Sequence, residues 1–169
     1  MTAIKQAALQ RPGGPADRQR RARRIAYLGC AGALGYGVLK VIWALGGTVG
    51  LSDPKRFQLA PEGLTAAQRF FDDWGTPILA GLAVVILLGL VYPWGNVAIV
   101  RPLLRALAWA GSLLAVASVG EFVQTIRYFA GDLPEHWLGG IYPATFLFVG
   151  VCFLVLGVAF GVTAWLTRR

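Results

Sequence analysis

Three long apolar runs restrict this chain's fold more than any other feature. Residues 25–46, "IAYLGCAGALGYGVLKVIWALG", hold one charge in 22 positions, and residues 102–126, "PLLRALAWAGSLLAVASVGEFVQTI", hold two in 25. Residues 143–166, "PATFLFVGVCFLVLGVAFGVTAWL", hold none in 24. About 20 helical residues cross a hydrocarbon layer. A fourth run, residues 77–92, has 16 residues and is bracketed by Trp74 and Trp94. Aromatic brackets of this kind anchor a span at its interfaces, so a short or locally thinned span fits better than a soluble helix. No run alternates at period two, and an open sheet cannot satisfy its backbone in lipid. Charged residues make up 14% of the chain, against about 25% in soluble domains. The expectation is an all-α integral membrane four-helix bundle, with helices at about 25–46, 77–92, 102–126 and 143–166. A flexible basic tail, residues 1–24, precedes this single domain, residues 25–169.

Basic residues orient the expected bundle. Lys5, Arg11, Arg18, Arg20, Arg21, Arg23 and Arg24 stand in the tail against Asp17 alone. Arg101, Arg105, Arg168 and Arg169 bring that side to a net charge of +10. The opposite side carries Lys55, Arg56, Arg69 and Arg127 against Asp53, Glu62, Asp72, Asp73, Asp132 and Glu135, a net charge of −2. The positive-inside rule then predicts both termini on the cytoplasmic side of a cell (inner) membrane. The same rule accounts for "RQRRARR" without nucleic acid: no aromatic residue interleaves the run, and a span follows at once. The apolar segment after it is too long for a cleaved secretory signal, so it reads as a retained anchor.

Polar residues inside the expected spans are few. Gly29, Ala33 and Gly37 form a small-residue stripe that admits a neighbouring helix, and Lys40 continues it towards the bundle. On the third run Ser118, Glu121, Gln124, Thr125 and Tyr128 follow one helical face. Lys40 lies six residues before the end of its run and Glu121 five before the end of its own. Both are therefore about 8 to 9 Å below the outer boundary. The depth and sign of the two charges predict an ion pair, with Gln124, Thr125 and Tyr36 adding hydrogen bonds. Such a pair fixes packing or register at a net stability near zero. Two other readings stand beside it: Lys40 snorkels to the outer headgroups, or the pair titrates or binds a substrate headgroup.

In the first outer connection "LTAAQRFFDDW" places Leu64, Ala67, Phe71 and Trp74 on one face, which predicts a short separate helix in the interface. Thr76 before Pro77 reads as the cap of the second span. His136, Glu135, Asp132, Asp72 and Asp73 gather on the outer side, but one histidine without ligand spacing predicts solvated loop charge and no metal. No cofactor is expected, since a single histidine excludes bis-histidine haem. Neither G-x-S-x-G nor G-x-x-x-x-G-K occurs. Cys30 and Cys152 differ in depth and form no C-x-x-C, so both read as small buried hydrophobes.

At "LKVIWALGG", residues 39–47, the chain resembles an uncharacterised family of small four-helix bacterial membrane proteins whose first helix ends in W-A-L-G-G. The resemblance implies the four-helix architecture and no activity. The residues themselves favour a membrane subunit without chemistry of its own, accessory or self-associating through glycine faces in a homo-oligomer or a larger complex. A small proton-coupled carrier using Glu121 and Lys40 is the alternative. A third reading is a lipid-headgroup enzyme using Glu121 and His136 as acid and base.

Overall fold

Pro15 opens the first helix, where its missing N–H costs nothing and its fixed φ suits the first turn. This helix, α1, spans Pro15–Ala44. It is followed by α2 (Ala66–Val91), a 3-10 turn at Pro93–Gly95, α3 (Val100–Ala117), α4 (Val119–Phe129) and α5 (Pro143–Leu166). The computed structural model describes residues 14–54, 65–95, 97–117, 119–131 and 140–168, without the side chains at 72, 116, 119, 121, 122 and 124. Among these residues the fold is all-helical, apart from one antiparallel bridge between Leu51 and Ile141. Among the described residues three helical segments are long and apolar enough to cross a membrane: Pro15–Ala44, Asp73–Val91 and Pro143–Leu166. The third run of the sequence is divided between α3 and α4, with residue 118 outside the described set.

Two expectations about helix limits change. Residues 15–24, expected as part of a flexible tail, are the first turns of α1. Arginine, alanine and glutamine are good helix formers, and Ala22 and Ala26 are buried in the core. Gln19 Nε2 also donates to the Val91 carbonyl at 2.9 Å, tying this segment to the end of α2. At 30 residues α1 is about 45 Å long, so about ten residues extend past a hydrocarbon layer.

The second change concerns the expected interfacial helix. It is continuous with the apolar run behind it, and α2 starts at Thr65 instead of at Thr76. A capping box sets this start: Gln68 N–H donates to Thr65 Oγ1 at 3.3 Å, and Thr65 N–H donates to Gln68 Oε1 at 2.9 Å. Pro77 stays inside the helix. Losing one backbone bond there does not outweigh the roughly three turns on its N-terminal side. The other end obeys proline: Tyr92, before Pro93, is extended at φ −107° and ψ 155°.

The W-A-L-G-G stretch is a helix stop. Gly47 N–H donates to Ile42 O at 2.8 Å and Gly46 N–H to Trp43 O at 2.9 Å. This pair of bonds is a Schellman motif. Gly46 takes the positive φ, 83°, that the motif requires and that a side chain would resist. Trp43 Nε1 donates onward to Val49 O at 2.8 Å. At the same end Tyr142 N–H donates to Gly50 O at 3.0 Å, and Ser52 N–H to Gly140 O at 2.8 Å, joining the segments that flank α1 and α5.

Small residues let the helices approach. α1 packs against α2 and α5, α3 against α5 and α2, and α4 against α5. The core joins Ala22, Ala26, Cys30 and Ala33 to Leu87, Val91, Ala108, Ala159 and Phe160. A Cβ on Gly29 would stand 2.5 Å from Ala159 Cβ and 2.7 Å from Leu87 Cδ1. One on Gly157 would stand 2.5 Å from Ala115 Cβ, where Ser112 Oγ also donates to the Gly157 carbonyl at 3.0 Å. Gly29→Leu is expected to destabilise the bundle by about 1–3 kcal/mol through overpacking. Gly81→Leu, on an exposed face where an added Cβ meets nothing within 4 Å, should stay within about 0.5 kcal/mol of the parent. Reversible unfolding in mixed micelles compares them, and equal stabilities contradict the close approach.

Candidate functional site

Polar side chains collect at the two ends of the bundle. Towards the end where α1 stops, Lys40 is half-buried, and its Nζ lies 5.5 Å from the centroid of the Trp43 ring. Residues three apart share a helix face, so this contact is local to α1. One turn earlier the Tyr36 ring lies 4.8 Å from the Phe153 ring of α5. Thr125 of α4 is fully buried. Glu121 and Gln124 also belong to α4, and their side chains lie outside the described ones. The pairing expected between Lys40 and Glu121 therefore falls outside the described contacts. The last helix, α5, packs against both α1 and α4.

In a bilayer an ammonium at mid-helix costs about 3 kcal/mol. A cation over an indole recovers about 1–2 kcal/mol when partly desolvated. Lys40 is also only four residues from the end of α1, about 6 Å from it along the axis, within reach of its own side chain. These two effects offset much of that cost from within α1 itself.

Of the outer acids, Asp73 is exposed on α2 and the Asp72 side chain is not described. Asp132, Glu135 and His136 lie outside the described residues. Among the described residues no three His, Cys, Asp or Glu side chains approach closely enough to hold a metal ion. Cys30 and Cys152 are free thiols, both buried.

The opposite end of the bundle is the more organised one. Here the start of α1, the end of α2, the start of α3 and the end of α5 meet. Arg101 Nη2 donates to the Thr167 carbonyl at 3.0 Å, and Arg105 Nη2 donates to the same oxygen. The last carbonyls of a helix have no partner within it and carry the negative end of its dipole. Two arginines one turn apart on α3 thus cap the C-terminus of α5, and Thr167 Oγ1 donates back to Thr163 O at 2.8 Å. Tyr92 serves as a second hub. Its hydroxyl is 2.5 Å from that of Tyr27, and the Arg23 guanidinium lies 5.4 Å from its ring centroid. Arg168 sits over the Trp165 ring at 3.1 Å.

Charge counting predicts these arginines on one side, but it does not reveal their partners. The signal was present as aromatic residues at helix ends beside the basic runs: Tyr92 and Trp94 after α2, and Trp165 before Arg168. Chemically, this end is a platform of fixed cations and aromatic faces, suited to anions. No family model matches the chain, and neither a curated protein nor a solved structure matches it.

A double-mutant cycle tests the account of Lys40. Lys40→Met and Trp43→Leu are expected to couple by about 1–2 kcal/mol in micellar unfolding. Coupling within error of zero would show that the indole does not hold the ammonium.

Proposed function

We propose that the chain is a polytopic membrane protein of four spans with both termini cytoplasmic, acting as a self-associating accessory subunit. The observation that carries this reading is the segregation of charge. Arg18, Arg23, Arg101, Arg105 and Arg168 all belong to one end of the bundle, tied there by the contacts around Thr167, Tyr92 and Trp165. Under the positive-inside rule that end is cytoplasmic. The three long apolar segments support membrane residence. With residue 118 between them, α3 and α4 together have the length of a fourth span, in accord with the family resembled at residues 39–47.

The accessory role is supported by the exposed side of α3 and α4. Leu103, Leu107, Trp109, Leu113 and Leu114 are exposed on α3, as are Val123, Ile126 and Phe129 on α4. In lipid such a side gains little from burial, so its worth lies in the packing it offers another helix.

Orientation is tested by labelling. In this background of two buried cysteines, a thiol placed by Asp73→Cys should react with a membrane-impermeant reagent only from the outer side. Reaction only from the cytoplasm reverses the topology. The subunit role is tested by purification in a mild detergent. A second copy or a stoichiometric partner chain should co-purify, and Glu121→Gln should leave that assembly intact. A monomer whose Glu121→Gln variant abolishes substrate-dependent pH change in proteoliposomes would instead be a carrier.

A further inference from the structure

A cavity of about 240 Å³ opens between the first turns of α1 and the last turn of α5, lined by Arg18, Trp165, Leu166 and Arg168. One of its two guanidinium groups comes from α1 and the other from just past the end of α5, and among the described residues no carboxylate lines it. Asp17 is the only described acid at this end, and it does not line the cavity.

We infer that this cavity binds the phosphodiester of an anionic phospholipid headgroup. A guanidinium presents a rigid fork of N–H donors that matches two phosphate oxygens. Arg168 is held over the Trp165 ring, which restricts one fork before any ligand arrives. Leu166 and the indole form an apolar shoulder where the glycerol and the first acyl carbons would lie, the level at which tryptophan resides in a bilayer. The negative end of the α5 dipole opposes an anion here. That opposition is already met, because Arg101 and Arg105 occupy the Thr167 carbonyl one residue away. Basic pockets between helices on the cytoplasmic side hold lipid phosphates in this manner. The inference rests on the reading that this end lies at a headgroup layer.

The test is native mass spectrometry of the full chain in neutral detergent, titrated with dioleoylphosphatidylglycerol, dioleoylphosphatidylcholine or inorganic phosphate. One phosphatidylglycerol should be retained per chain, in preference to phosphatidylcholine. Arg18→Gln and Arg168→Gln should each weaken its retention about fivefold, and the double variant about 25-fold, at about 1 kcal/mol per basic residue. Arg23→Gln, which faces Tyr92, should change it less than twofold. Equal retention by the parent and the double variant, with unchanged circular dichroism, overturns the proposal. Preferential binding of inorganic phosphate that displaces the lipid overturns it as well, since the anion would then be a soluble one. Alkaline carbonate extraction of native membranes separates the two levels of inference. A chain released into the supernatant refutes the membrane reading itself. A chain that stays in the pellet but ignores both arginine changes refutes only the cavity.

Discussion

Backbone proximity is the constraint on which this bundle depends. In a medium as apolar as the side chains themselves, burying leucine against leucine gains little, and association must come from many short-range contacts. Those contacts multiply when nothing bulky intervenes. Gly29 against Ala159 and Leu87 is where α1 closes on α5 and α2, and Gly157 against Ala115 is where α5 closes on α3. The core built around them is mostly alanine and other small residues, with Leu87, Leu90, Val91, Leu104 and Phe160 as its larger members. Such a core has little slack: side chains without rotamers cannot move aside.

From this proximity follows the placement of polar groups. Helices packed along their lengths leave room for charge only at their ends, where backbone carbonyls and N–H groups also lack partners. At one end Arg101 and Arg105 answer the open carbonyl of α5. At the other the glycine pair after α1 lets its last carbonyls be answered by the chain's own N–H groups. One end is thereby rich in fixed positive charge, and the other is closed largely by backbone bonds. Lys40 lies near the second end, where its ammonium stands by the indole three residues on, within one helix's own surface.

The legible part of the fold was what periodicity and composition encode. The helical class and the long apolar runs follow from bilayer thickness and the lack of any period-two pattern. Helix limits were harder to read because two signals competed for the same helix. Thr76-Pro77 looks like a start, yet Thr65 and Gln68 form the real cap, and a proline in a long apolar helix costs less than a restart. The arginine-rich segment reads as disordered by charge, but the alanine at 22 finds a place in the core, an effect of tertiary packing that composition does not register. At the candidate site, charge counting put Arg18, Arg23, Arg101, Arg105 and Arg168 in one group, and the structure brings these five to one end of the bundle. Counting is blind to Tyr92 and Trp165, whose importance comes from which helix ends meet in space.

The unbroken course of α1 through Pro15–Ala44 has a mechanical consequence. Arg20, Arg21, Arg23 and Arg24 ride on the same rigid rod as the apolar residues behind them, so their depth cannot be adjusted independently of the rod's tilt. A thicker bilayer draws those guanidinium groups inward or forces the rod upright, and a thinner one leans it over. Membrane thickness and the height of the positive charge above the lipid thus become a single coordinate.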